Sequence, residues 1–162
     1  MNNTPAIRQA RAEDLPSIVR LLGGLAEALG DASAFAADVA ALERYGFGDT
    51  RVYHARIAAD GDNDIGIAVY FPEFSTWRCA SGLYVQDLYV DPAARGRGTG
   101  RALLASALRH ARDAWDADYL RLAVHVLNRD AFDFYRVLGF SADPDNRVML
   151  LDGDGFQRLA GH

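Results

Sequence analysis

The sequence predicts a mixed α/β domain built around one sheet, and three observations carry that prediction. Apolar side chains recur at helical spacing before residue 46, residues 51–90 show the alternation typical of antiparallel strands, and the remainder alternates between strands and helices. The chain has 162 residues, of which 50% are hydrophobic, so it can bury the core of about one ordinary domain. Because no repeat, linker or low-complexity segment divides the chain, we expect a single domain over residues 1–162.

Two helices are expected at the start of the chain. In residues 15–29 apolar side chains repeat every three or four positions, and Asp14 is suited to be the N-cap. Gly23 and Gly24 weaken the middle of this helix or break it. A second helical stretch covers residues 32–45, and the GFG sequence that follows ends it.

Strands and helices alternate over the rest of the chain. Three successive strands are predicted over residues 51–59, 65–74 and 81–90, with Pro72 interrupting the second. After them the sequence predicts a long helix with an apolar face from Leu103 to Trp115, a strand at 119–127, a short helix at 129–138 and a last strand at 147–152. The strand at 119–127 is almost continuously apolar, as expected of a strand buried on both faces.

Composition excludes several classes of protein. The formal net charge of −5 argues against a nucleic-acid partner. The chain has no run of about 18 apolar residues that could span a membrane, and its N-terminal stretch has no apolar signal region, so we expect a cytoplasmic protein. Cys79 is the only cysteine, which excludes a disulfide framework and a cysteine metal site. We expect Cys79 to be a buried, small apolar residue and the protein to need no metal.

A glycine-rich loop precedes the long helix. Residues 91–104 read DPAARGRGTGRALL, so that Gly96, Gly98 and Gly100 lie among three arginines at a helix start. The first N–H groups of a helix have no internal acceptor, and the helix dipole favours negative charge there. Glycine adopts backbone angles that turn successive amides toward an anion. The sequence therefore predicts an anion site of the kind that holds cofactor phosphates.

Two familiar phosphate loops fit this segment less well than a third. A Walker loop requires a lysine, and this chain contains none. The dinucleotide fingerprint G-x-G-x-x-G follows the first strand of its domain, whereas GRGTGR has glycines at alternate positions and follows the third predicted strand. The pattern Gln/Arg-x-x-Gly-x-Gly/Ala is matched at all of its positions by Arg95, Gly98 and Gly100.

Through that pattern the sequence resembles the GNAT superfamily of acetyl-CoA-dependent N-acetyltransferases. LYVQDLYVDPAARGRGTGRALL resembles the central strand, loop and helix of the family, and NRDAFDFYRVLGF, with Asn128 and Tyr135, resembles its last motif. YGFG at 45–48 and STW before the third predicted strand are similar to the spermidine/spermine acetyltransferase-like subfamily. Together these segments span roughly residues 5–150.

The resemblance implies a GNAT fold, in which helices flank a twisted central sheet that is mixed but mostly antiparallel. It also implies acetyl-CoA as co-substrate and a homodimer. Cofactor contacts are then expected from the third predicted strand at Leu88, Tyr89 and Val90, from the loop at Arg95, Gly96, Arg97, Gly98, Thr99, Gly100 and Arg101, and from the last motif at Asn128, Ala131 and Tyr135. Tyr135 is further implied to be the general acid that protonates the CoA thiolate.

The residue expected to act as base departs from the subfamily pattern. Gln86 lies where a glutamate is usual, and an amide cannot accept the proton of an acceptor amine. Asp87 is adjacent, but strand alternation points its side chain to the opposite face unless a bulge intervenes. Bases that could act through water are His54, Glu73 and His125.

Acceptor contacts are expected at Gln86, Asp87, Trp77 and Glu27. Trp77 also suits a dimer interface or a position under the sheet. Against the subfamily pattern, Ala28 and Leu29 replace a Tyr-Glu pair and Ser75 replaces an acid, so groups that would neutralise a polycation are missing. We therefore expect a smaller or less charged primary amine, such as a diamino acid, a lysine analogue or a polyamine-like amine.

Three functions remain open on the sequence. The first is acetyl transfer from acetyl-CoA to a small-molecule amine. The second keeps the fold but takes a protein N-terminus or a lysine side chain as acceptor. The third is a catalytically silent module that binds acyl-CoA, which the missing acid at position 86 suggests.

Overall fold

A computed structural model of the protein describes residues 5–33 and 35–161. The described chain falls into two compact units that divide between Asn128 and Arg129. The first unit contains β1 (Ala6–Gln9), α1 (Leu15–Leu29), α2 (Val39–Phe47), β2 (His54–Asp60), β3 (Asn63–Ser75), β4 (Ala80–Val90), α3 (Thr99–Trp115) and β5 (Tyr119–Leu122). The second unit contains α4 (Arg129–Val137) and α5 (Gly153–Ala160). The single-domain organisation over residues 1–162 stays a prediction.

The strands of the first unit form one sheet in the order β1-β2-β3-β4-β5. Every neighbouring pair is antiparallel except β4 and β5, which run parallel and are joined by the crossover helix α3. Helices α1 and α3 both pack on β3 and β4. The predicted class, a mixed and mostly antiparallel sheet flanked by helices, is therefore confirmed. The edge strand β1 was not predicted, because four residues are too few to show an alternating pattern.

Apolar side chains give the sheet two packed faces. On the first face, Ile18 of α1 is buried with Ile57 of β2 and Ile67 of β3, and helix α2 adds partly buried contacts. On the second face, Leu103 of α3 is buried with Ala68 of β3. Burying a side chain such as Ile or Leu contributes roughly 1.5–3 kcal/mol, so these layers are what hold the sheet between the helices.

Helix α1 runs unbroken through its two central glycines. A Cβ atom at Gly24 would lie 2.6 Å from the hydroxyl oxygen of Tyr89 on β4. The absence of a side chain therefore lets α1 approach the sheet closely. Of the two glycines that the sequence suggested would weaken or break the helix, Gly24 instead sets its distance from β4.

Several predicted boundaries were wrong for local reasons. Helix α2 starts at Val39, where the Asp38 side chain caps it by accepting a 3.0 Å hydrogen bond from the Ala41 amide. The earlier part of the predicted helix is not helical at residues 32–33 and 35–38, and residue 34 lies outside the described residues. Strand β5 ends at Leu122 rather than at residue 127.

Two further predictions were wrong near chain turns. The segment predicted as a last strand at 147–152 pairs with no strand among the described residues, and Val148, Met149 and Leu150 are exposed. Helix α5 follows it without having been predicted. Cys79 is exposed rather than buried, because it lies at the turn between β3 and β4 with a backbone φ of 49°.

An aromatic and polar cluster lies on the second face of the sheet. The His54 ring stacks on Trp115 at 5.4 Å and lies 4.8 Å from the ring of His110, both on α3. Tyr70 forms a 2.9 Å hydrogen bond with Nδ1 of His110 and accepts one of 3.1 Å from Arg56. Nδ1 of His54 is buried without a hydrogen-bond partner in the described structure.

We expect this cluster to destabilise the protein in acid. Burial and then the charges of His110, Arg51 and Arg56 lower the pKa of His54 from 6.5 to about 4. Because the folded pKa is lower than the unfolded one, the unfolded chain binds more protons between pH 6.5 and 4, and stability is lost as the pH falls through that window. For a half-buried ring we expect a loss of about 1–2 kcal/mol. Urea unfolding from pH 7 to 4 measures it, and an equal slope in His54→Gln would contradict the assignment.

Candidate active site

A β-bulge interrupts β4 in the middle of its pairing with β3. Val85 lies opposite Tyr70 and Asp87 lies opposite Val69, so Gln86 is the extra residue of the bulge. Residues directly opposite each other share a face of the sheet. Val69 is buried in the core on the α1 side of the sheet, and Asp87 therefore lies on that side as well. Strict alternation from Val85 would have placed Asp87 on the α3 side.

A cavity of about 250 Å³ lies beside this bulge, under α1 and α2. Its walls are mostly apolar and come from α1, α2, the segment before β2, and β3: Ile18, Leu22, Leu42, Val52, Tyr53, Val69 and Phe71. The side chains of Gln86 and Asp87 complete the lining. The bulge thus brings both sequence-predicted acceptor residues of β4 to one cavity.

Asp87 is the only carboxylate among the described residues that line this cavity. Burial raises the pKa of its carboxyl above the ordinary value. The Tyr53 hydroxyl, the other titratable group in the lining, donates a 2.8 Å hydrogen bond to the Leu42 carbonyl and is thereby committed to α2. The site therefore combines an apolar enclosure with one acidic group and one amide.

Strands β4 and β5 separate at the level of the bulge. Their parallel pairing runs from Gly82 opposite Tyr119 to Val85 opposite Leu122 and stops there. Leu88, Tyr89 and Val90 pair with β3 on one side, while on the β5 side no strand of the described chain pairs with them. An extended molecule with amide groups could add to this free edge as a further strand does.

The glycine-rich loop follows directly from that free edge. Gly96 and Gly98 have φ angles of 74° and 80°, which L side chains rarely adopt, and a Cβ at either position would meet nothing within 4 Å. Gly98 is the N-cap of α3, so the N–H groups of Thr99, Gly100 and Arg101 belong to its first turn and have no acceptor within the helix. The loop therefore offers main-chain donors and open space at the positive end of a helix.

Two contacts hold this loop in place. Nε of Arg95 donates a 2.8 Å hydrogen bond to the Val90 carbonyl, which ties the loop back to β4. Thr99 is buried, and its hydroxyl donates a 3.4 Å hydrogen bond to the Ala94 carbonyl. The side chain of Arg97 is exposed beside them, as is that of Arg101. The shape fits a pyrophosphate group, because open main-chain amides and unhindered arginines are the donors that such an anion binds.

The last sequence motif spans the boundary between the two units. Asn128 ends the first unit, and its main-chain N–H donates a 2.8 Å hydrogen bond to the main-chain carbonyl of His125. Ala131 and Tyr135 lie on α4 in the second unit. The ring of Tyr135 packs against Phe134 at 5.1 Å and Phe140 at 5.2 Å, and burial raises the pKa of its hydroxyl to about 12.

Two other predicted acceptor residues lie outside the lining of the cavity. Glu27 is exposed in the last turn of α1. Trp77 is 98% exposed at the turn between β3 and β4. Their roles as acceptor contacts stay predictions.

The other bases considered from the sequence are also placed by the structure. His54 faces α3, as its contacts with His110 and Trp115 show. Glu73 forms an ion pair with Arg121, and His125 is exposed after β5. None of these three side chains lines the cavity beside the bulge.

A wider concavity of about 510 Å³ lies at the end of β1, lined in part by Arg8, Arg11 and Arg51. Arg8 is already paired with Asp14 at 2.6 Å and with Asp64 at 3.0 Å. We place the site at the smaller cavity, because only that one adjoins the bulge and the strand that leads into the glycine loop.

Residues that line the cavity from α2 and β3 were not identified from the sequence. Leu42 and Phe71 from these elements, and Tyr53 from the segment before β2, belong to no pattern that pointed to an acceptor site. Among residues 5–33 and 35–161, no three His, Cys, Asp or Glu side chains are placed to hold a metal ion. In the same part of the chain no helix is both long and apolar enough to cross a membrane.

A strand edge that becomes free beside a glycine-led helix start suits a protein that binds an extended cofactor bearing phosphate groups. The chain belongs to the acetyltransferase (GNAT) family, whose model matches residues 25–140 and so includes the end of α1, the bulge, the loop and Tyr135. Members of this family use acetyl-CoA as co-substrate, and the protein is an N-acetyltransferase.

Comparison with individual proteins agrees with that assignment. A thialysine N-epsilon-acetyltransferase from Bos taurus is 34% identical over 166 residues, which cover 96% of each chain. Spermidine/spermine N(1)-acetyltransferase-like protein 1 from Homo sapiens is 29% identical over 82% of this chain, but over only 20% of its own length. The solved structure of an integron cassette protein from V. cholerae superimposes with a TM-score of 0.79 at 22% identity, covering 98% and 99% of the two chains, and shares the fold.

Proposed function

We propose that the protein transfers an acetyl group from acetyl-CoA directly to a primary amine of a small molecule. The single observation that carries this proposal is the cavity beside the β4 bulge. Gln86 and Asp87 line this cavity at the point where the β5 side of β4 becomes free, a few residues before the glycine loop. An acceptor in this cavity would lie beside the strand along which we expect the pantetheine arm to bind.

The lining of the cavity favours an acceptor with one buried ammonium on an apolar stem. A volume of about 250 Å³ has room for roughly eight groups of the size of a water molecule. Asp87 offers a counter-charge for the ammonium to be acetylated. The second ammonium of a diamino acid has the molecule's own carboxylate beside it, whereas the further ammonium groups of a polyamine would lose hydration among apolar walls without a partner. A diamino acid or lysine analogue fits best, and a polyamine-like amine fits less well. The names of the thialysine and spermidine/spermine relatives support this range of acceptors.

We propose that acetyl-CoA, which supplies the activated acetyl group, is held by the residues implied by the family motifs. Main-chain groups of Leu88, Tyr89 and Val90 would pair with its pantetheine arm. The loop from Arg95 to Arg101 would bind the pyrophosphate through main-chain amides and arginine side chains. Asn128 and Ala131 would also contact the cofactor.

Tyr135 is proposed as the general acid that protonates the CoA thiolate. Burial raises the pKa of its hydroxyl to about 12, so the group stays protonated throughout the neutral range, as a proton donor must. Gln86 would orient the acceptor by hydrogen bonding, and Trp77 and Glu27 would contribute acceptor contacts. We further propose a homodimer in the cytoplasm, as the family likeness implies.

Thiol release from acetyl-CoA, measured against a panel of amines over pH 6 to 10, tests the proposed function. The panel contains lysine, thialysine, diaminobutyrate, spermidine, an aminoglycoside and a peptide with a free N-terminus. We expect highest kcat/KM for a diamino acid or lysine analogue and a lower value for spermidine. Turnover only with the peptide would instead show a protein acetyltransferase. CoA binding without turnover on any amine would indicate a silent module.

A further inference from the structure

The acceptor must lose a proton before it can attack the thioester. A primary alkylamine is mainly protonated at neutral pH, and its ammonium has no lone pair for the acetyl carbon. Gln86, whose amide cannot accept that proton, lies at the bulge where a base would be useful. The proton must therefore go to another group at the cavity or to solvent.

The bulge places the carboxylate of Asp87 at the cavity in which we expect the acceptor amine to bind. The register shift at Gln86 moves Asp87 from the α3 side of the sheet to the cavity side. Of the other bases weighed from the sequence, His54 lies on the α3 face, and Glu73 is paired with Arg121. His125 lies outside the lining of the cavity.

We propose that Asp87, carried into the acceptor cavity by the β4 bulge, is the general base that deprotonates the acceptor amine. This inference rests on the proposed function, since it assigns the base of that same reaction. It gives the bulge a chemical role: one extra residue in β4 brings a carboxylate to the amine in place of the side chain at position 86.

The proton balance of the step is complete with this assignment. Asp87 takes one proton from R–NH3⁺ and becomes neutral, which leaves a free lone pair on the amine. The nitrogen then forms the bond to the acetyl carbon and the C–S bond breaks. The second nitrogen proton passes to solvent as the amide forms, while Tyr135 gives its proton to the thiolate sulfur and regains one from solvent. Asp87 finally releases its proton to solvent, so that one proton is liberated in each turnover.

The surroundings of Asp87 bring the proton affinity of its carboxylate closer to that of the acceptor amine. The side chains that face it from α1 and α2 are Ile18, Leu22 and Leu42, all uncharged, and β3 adds Val69 and Phe71. The only other titratable group of the lining is Tyr53, whose hydroxyl is engaged with α2. Apolar surroundings disfavour the charged carboxylate and the charged ammonium alike. They therefore make the carboxylate a stronger base and the ammonium a stronger acid.

The variant Asp87→Asn tests the assignment. We expect kcat at saturating acceptor to fall about 100- to 1,000-fold at pH 7. The rate of the variant should keep rising with pH until the amine itself deprotonates, whereas the wild type reaches its plateau earlier. With a fluorinated acceptor that is already neutral at pH 7, the variant should come within about fivefold of the wild type. The affinity for CoA, measured directly by calorimetry, should be unchanged.

Two further variants make the test specific. Asp62→Asn, an identical change in the exposed turn between β2 and β3, should leave kcat and the pH profile unchanged. Asp87→Glu keeps a carboxylate and should keep the pH profile of the wild type at reduced kcat. If Asp87→Asn does not fold, as judged by circular dichroism, Asp87→Glu and the dependence of wild-type kcat on amine pKa decide the question.

The outcomes separate this inference from the function on which it rests. If Asp87→Asn raises only KM and keeps the kcat and pH profile of the wild type, Asp87 holds the acceptor but is not the base. A defect that is equally large for the neutral, fluorinated amine would also overturn the assignment. If the wild type binds CoA and releases no thiol with any amine of the panel, the proposed function itself fails.

Discussion

Replacement of Tyr135 by Phe is expected to lower kcat about 100- to 1,000-fold, which is roughly 3–4 kcal/mol of transition-state stabilisation. The variant removes the hydroxyl that we assign as proton donor and leaves the ring that packs against Phe134 and Phe140. The Kd for CoA should therefore stay within about twofold. Steady-state kinetics with the best amine, together with calorimetric titration of CoA, measures both quantities.

The role of Tyr135 as general acid also predicts how the wild-type rate depends on pH. Since burial raises the pKa of Tyr135 to about 12, loss of its proton should not reduce the wild-type rate below about pH 11. Tyr45→Phe, which removes an exposed hydroxyl on α2, is the matched control and should leave kcat as it is. Full activity of Tyr135→Phe would remove Tyr135 as the acid, and another donor to the thiolate would have to be sought.

Substitution of Gly98 by Val is expected to weaken CoA binding at least tenfold. At φ 80° a β-branched residue is strongly disfavoured, so the N-terminus of α3 must rearrange and its amides turn away from the anion. The new side chain would also occupy open space on the surface where we expect the pyrophosphate. Calorimetric titration with CoA and with acetyl-CoA measures the loss.

Gly61→Val is the control for that prediction. Gly61 has a φ of 60° and equally open surroundings, but it lies in the turn between β2 and β3. Both variants should lose stability by a similar amount, about 1–2 kcal/mol, and only Gly98→Val should lose CoA affinity. Equal affinities in the two variants would show that the loop does not bind the cofactor as proposed.

The parts of the fold that local sequence determines were predicted well. Helix α1 has the bounds that its apolar spacing indicated, and β3 and β4 extend the predicted strands by two residues or fewer at each end. The part of the predicted strand 119–127 that follows Leu122 and the whole predicted strand at 147–152 were wrong for a common reason. Both segments are apolar and suited to strands, but an apolar run cannot say whether another strand lies beside it to pair with.

The candidate site was predicted unevenly for a related reason. The glycine loop depends on backbone angles that only glycine adopts readily, so Gly96 and Gly98 could be identified from their own stretch of sequence. The side of the sheet on which Asp87 lies depends on the register between β3 and β4, and nothing in the sequence QDLYV shows an extra residue. Likewise, the approach of α2 that encloses Leu42 and Tyr53 is a matter of tertiary packing.

The glycine loop is built mainly of main-chain groups and the cavity mainly of side chains, and this difference affects how the acceptor preference of the protein can evolve. The loop is proposed to bind the acyl donor largely through main-chain amides at the start of α3, whereas side chains such as Leu42, Val52 and Phe71 shape the cavity. Point substitutions replace side chains and leave the main chain in place. New acceptor preferences could therefore evolve, or be selected from libraries randomised at these three positions, while the capacity to use the same acyl donor is inherited unchanged.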